Sequence, residues 1–450
     1  MKSAPTAHDI QVGEARRPYG LLAGLSVAHL VNDFYTMLLP PLLPPLLAAF
    51  GLSYFQGGLL SLCYYLLSGV LQPTVGHLAD RYALRKRLMM AGFAIFAVGF
   101  LAIGLAPTYP VLLLACLLCG LGAATFHPQS TYFLTRAFPE AKGWAMGIHG
   151  WGGSIGNFLA PLTVAALVSL YGWRQGVMLA AVPAVLVIGL LAWLLREPQE
   201  VNPTRFGKGF TRELLLVALT FALISMVLRA FLTFLPTFLV ERGSSLTQAG
   251  FFTSLMLCVG LVAQPLGGQV YDRVGGKAMF LVASLATGLA LWLFTLSAGL
   301  LLVVWAVVIG FFVFALFPVS LAMGSELARD NGVGVSVGII FGLSFTLSAF
   351  TPAVTGFVAD RLGLNLAFQL LVFLAALAAL LSLWLPARRA SAARHAGRLG
   401  LARECEEEPR MPDPEFIRCE VENFIATVTM DRPPVNARQP PVSRRTNVRL

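Results

Sequence analysis

Charge is what this sequence has least of. Only 12% of its 450 residues are Asp, Glu, Lys or Arg, against 57% hydrophobic, where a soluble domain carries about 25% charge. With a mean hydropathy of +0.75, so much apolar surface cannot be hidden in one soluble core, and most of it is expected to face lipid. Cysteine is scarce as well. Of the six, Cys63, Cys116, Cys119 and Cys258 lie inside apolar runs, which excludes a disulfide framework. The C-x-x-C formed by Cys116 and Cys119 has no second pair, so these two read as small apolar filler. Residues 1–19 lack a long apolar run, so no cleavable leader is expected and the first apolar run serves as the membrane anchor. Acidic residues number 22 against 32 basic ones, for a net charge of +10. A nucleic-acid surface is nevertheless excluded. Twelve of the basic residues, all Arg, follow Pro386, and most of the rest occupy short gaps between apolar runs, where they suit anionic lipid.

What the chain does have is apolar runs of about 20 residues, the length that crosses a bilayer core as a helix. Twelve can be counted, giving an all-α membrane protein with a cytoplasmic N-terminal segment (1–19), a six-helix bundle (20–195), a cytoplasmic linker (196–212), a second six-helix bundle (213–386) and a tail (387–450). Sixteen Lys and Arg lie on the side shared by the N-terminus and the linker, and only Arg174, Arg242 and Arg361 on the other. This imbalance places both termini in the cytoplasm. The two bundles repeat. Gln72-Pro73, Gly76, Asp80 and Arg81 recur as Gln264-Pro265, Gly268, Asp272 and Arg273, an offset of 192; Pro161 with Pro352 and Gly172 with Gly363 are 191 apart. A near-constant offset signals two parallel six-helix repeats with a transport pathway between them.

Gly76-His77-Leu78-Ala79-Asp80-Arg81-Tyr82-Ala83-Leu84-Arg85-Lys86-Arg87 resembles the loop signature of the major facilitator superfamily. That resemblance implies a gating loop, in which Gly76 lets helices approach closely while Asp80, Arg81, Arg85 and the repeat copies Asp272 and Arg273 make charge contacts that favour one access state. Ala83 stands where that family carries a second glycine. His29-Leu30-Val31-Asn32-Asp33, Phe126-His127-Pro128-Gln129-Ser130 and the glycines from Gly147 to Gly156 resemble the fosmidomycin resistance branch. This second resemblance implies export of drugs by proton exchange. It departs at Gln129, where Glu is expected, and at Cys116, where related antiporters carry Arg.

Several residues stand out on their own chemistry. Asp33 lies mid-run, where a charge costs about 2.5–3.5 kcal/mol on insertion scales and therefore faces a water-filled cavity or a partner. His29, one turn earlier, shares its helix face, and with His127 makes a candidate proton-coupling set. The alternative is that His29 and Asn32 only satisfy Asp33 and hold the helix together. Arg229 is the basic residue deepest in a second-half run and suits a phosphonate or carboxylate; as a static counter-ion to Asp33 it would serve structure instead. Asn32, Gln129 and Asn157 complete the expected substrate contacts. Pro128 removes a helix hydrogen bond beside His127, and Gly152 with Gly156 forms a G-x-x-x-G suited to close helix packing.

Beyond Pro386 the composition turns to Arg, Glu and Pro. Residues 416–437 resemble the first hairpin of enoyl-CoA hydratases without the segments that build its oxyanion hole, and Met411 resembles the start of a separate reading frame. The tail is expected to be largely disordered and dispensable. The reading is a secondary transporter, not an enzyme, that exports a drug-like or small anionic compound by proton-coupled alternating access. It is expected to work as a monomer in a bacterial inner membrane, with protons, lipids and a small-molecule substrate as partners, no nucleic acid, no cofactor and no metal. A proton-coupled uptake symporter for an organic anion fits the same residues; a receptor that no longer transports and a fused enzyme are the more distant rivals.

Overall fold

The computed structural model describes residues 18–139, 141–197, 211–327 and 333–386, except for the side chains of residues 80, 142, 333–335 and 337, together with the backbone of 417–422, 425–432 and 442–449. The membrane part is entirely helical: α1 (Pro18–Thr36), α2 (Leu39–Phe50), α3 (Tyr54–Tyr82), α4 (Arg85–Leu105), α5 (Tyr109–Ala123), α6 (Phe126–Ala137), α7 (Lys142–Leu179), α8 (Ala181–Leu194), α9 (Arg212–Glu241), α10 (Leu246–Cys258), α11 (Gly260–Val274), α12 (Gly276–Leu296), α13 (Leu300–Glu326) and α14 (Val333–Ser382). Among the described residues ten apolar helical stretches are long enough to cross a membrane. Two of them, Gly143–Leu194 and Gly338–Ser382, reverse direction at Gly172 (φ 77°, ψ 161°) and Gly363 (φ 79°, ψ 157°), a conformation open to glycine alone. Each therefore counts as two passes, and the chain crosses twelve times.

Prolines explain where passes break. The first pass parts between α1 and α2 because Pro40 and Pro41 lack the N–H groups that would bond the carbonyls of Thr36 and Met37. One freed carbonyl finds a side chain instead, Tyr65 Oη donating to Thr36 O at 2.6 Å, and the adjacent Tyr35 O accepts from Tyr64 Oη. The fourth pass parts between α5 and α6, at Ala124–Thr125, as the proline at position 128 implies. Such breaks persist in a membrane only where other groups satisfy the freed backbone.

The repeat is visible in packing. Gly58 on α3 lies against the carbonyl of Pro352 with no room for a Cβ, and 192 residues later a Cβ on Gly250 would come 2.5 Å from the carbonyl oxygen of Pro161. Lys86 Nζ donates to Ala192 O (2.9 Å), and Lys277 Nζ donates to Leu383 O (2.6 Å), each tying the start of a repeat's third helix to the end of its sixth. Aromatic clusters fill the halves: Tyr35, Phe96 and Phe100 in the first, Phe231, Phe238, Phe294 and Phe368 in the second. The outer girdle is apolar and exposed, as at Leu186, Leu300 and Phe373, the surface a protein presents to lipid.

Two details of the loop signature differ from expectation. A Cβ at Gly76 would meet only Pro128 at an ordinary 3.8 Å, and one at Gly268 would meet nothing within 4 Å. Close approach belongs to Gly58 and Gly250 instead, because those face the opposite half. Ala83, by contrast, keeps the left-handed turn of a glycine, with φ 52° and ψ 43°, and its repeat partner Gly275 has φ 81°. An L-residue there is strained by roughly 1–2 kcal/mol. Ala83→Gly is expected to stabilise the folded protein by about 1 kcal/mol, read as a higher unfolding midpoint in detergent.

The chain divides at Arg388. In the second unit β1 (Ile417–Glu422), β2 (Ile425–Arg432) and β3 (Val442–Arg449) form an antiparallel sheet in the order β1-β2-β3. Alternation such as Ile425, Thr427, Thr429 with Ala426, Val428, Met430 suits a pleated strand.

Candidate functional site

The site assembles where the first, fourth and fifth passes meet. On α7, Gly152 and Gly156 lie against the carbonyls of Ser26 and Leu30 on α1 with no space for a side chain. The G-x-x-x-G thus brings the backbones of α1 and α7 together, and Gly153 between them faces the charged residues: a Cβ there would come 2.6 Å from both Asp33 Oδ2 and His29 Nε2.

Asp33 is the centre. His29 Nε2 lies 3.5 Å from Oδ2, and His127 Nε2 lies 3.7 Å from Oδ1. Asn32 Nδ2 donates to Oδ1 at 3.0 Å and sits 3.4 Å from His127 Nε2, while Asn157 Nδ2 on α7 donates to Oδ2 at 3.2 Å. His29 Nδ1 lies 2.7 Å from the carbonyl oxygen of His149. A carbonyl only accepts, so Nδ1 carries a hydrogen and Nε2 is left toward Asp33. The His149 ring, itself buried, stacks on His29 with centroids 4.2 Å apart, and Phe126 closes the stack. The side chains of His29 and Asp33 keep 12% and 15% exposure while His127 keeps 37%, so the cluster opens along α6.

Donor atoms of His29, Asp33 and His127 lie within 4.8 Å of one another, and these are the described residues that could hold a metal ion. Their spacings from the carboxylate exceed the roughly 3.3 Å between donors around tetrahedral zinc, and both carboxylate oxygens already accept an amide hydrogen. The arrangement is built around a carboxylate acceptor, and we do not read it as a metal site.

The remaining predicted residues part company. Gln129 is fully buried, and its Oε1 accepts from Arg85 Nη1 at 2.9 Å while the Arg85 guanidinium lies 3.5 Å over the Tyr132 ring. Gln129 thus ties the start of α4 to α6. Arg229 makes no ion pair with Asp33: its guanidinium lies 3.7 Å over the ring of Tyr65, and among the described residues no carboxylate is within ion-pair distance of it. The static counter-ion reading of Arg229 falls with that. Arg81 lies near the Tyr82 ring at 5.5 Å, Asp272 and Arg273 are exposed, and the side chain of Asp80 lies outside the described residues.

Sequence reasoning missed a second set of residues, at the end of the bundle opposite the start of α1 and the end of α14. Asp360 caps α3 across the two halves, accepting from the backbone N–H of Tyr54 (2.7 Å) and Phe55 (3.0 Å), while Tyr54 Oη donates to Glu241. The equivalent positions in the other repeat, Ser169 and Thr247, bond at 3.1 Å. A cavity of about 410 Å³ borders Tyr54, Glu241 and Asp360. The sequence signal was present only as the Asp at position 360 and its repeat-related Ser at 169, which a repeat comparison aimed at identities passes over.

A family model described as the Major Facilitator Superfamily matches residues 25–296 and 217–430. The fosmidomycin resistance protein of Escherichia coli is 28% identical over 393 residues, covering 84% of this chain and 95% of that protein. A probable sulfoacetate transporter of Cupriavidus necator is 26% identical over 394 residues, covering 77% and 90%. Among solved structures, a bacterial homolog of the human lysosomal transporter Spinster, in an inward-facing and occupied conformation, superposes with a TM-score of 0.73 at 18% identity, covering 82% of this chain and 97% of that one. The resemblance of residues 416–437 to an enoyl-CoA hydratase hairpin finds no support in these comparisons.

Proposed function

The chain belongs to the major facilitator superfamily, and from that premise we propose that it is a proton-coupled secondary transporter that exports a small anionic or drug-like compound by alternating access. The observation that carries the reading is the Asp33 cluster: a carboxylate in the middle of a membrane pass, flanked by two imidazoles, held by two amides and open on one side. With His29 Nδ1 committed to a carbonyl, one proton fits between Nε2 and Oδ2, and adding or removing it changes the cluster by a full charge. That is the differential interaction an access equilibrium needs. Arg229, stacked on an aromatic face and facing no carboxylate, supplies the cation for a phosphonate, carboxylate or sulfonate. The similarity to a fosmidomycin resistance protein and to a probable sulfoacetate transporter supports such an anion.

Placed with both termini in the cytoplasm of a bacterial inner membrane, the end closed by Tyr54, Glu241 and Asp360 faces outward, so this conformation is closed to the outside. The test is a growth screen of expressing cells against antibiotics, fosmidomycin included, run beside an Asp33→Asn control. Resistance that requires Asp33 is expected. Sensitisation, with faster uptake of the same compound, would replace export with the symporter reading.

A further inference from the structure

The two halves pack mainly through α3 against α14 and α7 against α10; beside that packing, a ladder of side-chain contacts links α3 to α9, which neither the repeat nor the Asp33 cluster contains. Tyr54 bonds Glu241, Ser61 Oγ lies 3.1 Å from Thr233 Oγ1, and the Tyr65 ring underlies Arg229 at 3.7 Å. In each pair the residue numbers sum to about 294, as two antiparallel helices in fixed register require. On α9 the participants are four apart, at Arg229, Thr233 and Glu241 with Thr237 between, so they share one stripe. Thr237 is the rung that fails: its hydroxyl is buried and unpartnered, and by register α3 offers it only Gly57 and Gly58.

The innermost rung differs in kind. Tyr65 is fixed at both faces of its role: its hydroxyl donates to the Thr36 carbonyl that Pro40 leaves free, and its ring covers one face of the Arg229 guanidinium. A covered guanidinium still presents its N–H edge, the edge that grips a planar or tetrahedral oxyanion in two-point fashion. Arg229 is only half-buried, so that edge is not sealed. The ring rides on the first half and the guanidinium on the second.

We propose that Tyr65 is the positioning residue of the anion site: it holds Arg229 ready for the oxyanion and, by the same contact, makes Arg229 the rung of the α3–α9 ladder that the oxyanion competes for. This rests on the reading of Arg229 as the anion's anchor. An anion that draws the guanidinium off the ring loosens the seam at its inner end, while the Ser61–Thr233 and Tyr54–Glu241 rungs still hold the outer end. Substrate binding and access are then coupled through one side chain.

The experiment is a spin-label distance measurement on the full chain in detergent, between cysteines placed at Ala49 and Ser244, at the outer ends of the two halves. Tyr65→Leu is expected to shift the closed-to-open ratio toward open by about threefold to thirtyfold, the range from an exposed to a desolvated cation–π contact. Tyr65→Phe, which keeps the ring, should shift it much less, and Thr233→Val should shift it in the same direction as Tyr65→Leu. A Tyr65→Leu protein that is monodisperse and has the wild-type distribution would overturn the proposal. If Tyr65→Leu instead fails to fold, Thr233→Val and Tyr65→Phe decide: equal distributions in both, matching wild type, overturn it. Inorganic phosphate, sulfoacetate and fosmidomycin are then added in turn. At least one is expected to open the wild-type seam and to leave Arg229→Gln unmoved. Opening by Tyr65→Leu with no response to any of the three would keep the rung and remove the anion from Arg229.

Discussion

Asp33→Asn is expected to reduce proton-driven transport to background while leaving the protein folded. The substitution keeps size and shape, yet it removes the charge that His29 and His127 face at 3.5 and 3.7 Å. It also sets an amide N–H₂ where both Asn32 and Asn157 donate, so at least one donor loses its acceptor, at about 1–3 kcal/mol. That is small enough for a protein of this size to stay folded. The function does not survive, because an Asn cannot take up or release a proton. The measurement is substrate flux in vesicles after a pH jump, beside exchange of labelled substrate across the same membrane at equal pH. Exchange should persist in the variant and pH-driven accumulation should vanish. Accumulation at the wild-type rate would remove Asp33 from the coupling path and turn attention to His127.

The second large effect is expected in α7, where two alanine substitutions should act in opposite directions. A Cβ at Gly156 has no room beside the Leu30 carbonyl, and both partners are backbone, so the helices must separate. Overpacking of this kind costs about 1–3 kcal/mol, at the high end because neither side can rotate away. It would also carry Asn157 off the Asp33 carboxylate. Gly147, nine residues earlier in the same helix, has nothing within 4 Å of an added Cβ, and there alanine should stabilise by about 0.5–1 kcal/mol through helix propensity. Unfolding midpoints of the two purified variants, one below and one above the parent, check the pair. A Gly156→Ala protein as stable as the parent would show that α1 and α7 are not packed at this distance.

Much of the fold could be read from the residues because a bilayer imposes one length on every pass and a repeat imposes one offset. The reversals at Gly172 and Gly363 and the glycine contacts at Gly58 and Gly250 follow from that offset. Part of the site followed from helix geometry alone: His29 and Asp33 are one turn apart, and they do meet. His149, near the start of the fifth pass, reads from the sequence as a satisfied interfacial histidine, because its link to His29 is a backbone carbonyl and a ring stack from a helix 120 residues away, which no spacing on either helix announces. The tie between Gln129 and Arg85 was not legible because a polar residue in an apolar run faces a cavity or a partner with equal ease, and Arg85 stood in a segment read as a gating loop. The ladder between α3 and α9 could not be seen at all. It depends on the register between halves, and the repeat describes only what the halves share.

The break in the first pass has a mechanical consequence. α2 carries Pro40, Pro41, Pro44 and Pro45, so four of its first seven residues give no hydrogen to the ladder, and the segment is shaped by its neighbours more than by its own bonds. α1, with Asp33 on it, has an unbroken ladder and is clamped to α7 by glycine contacts. One pass thus joins a stiff rod to a compliant one at residues 37 and 38. If the outer ends of the halves separate, the bending concentrates at that joint, and the carboxylate below it keeps its neighbours while the mouth above it changes shape.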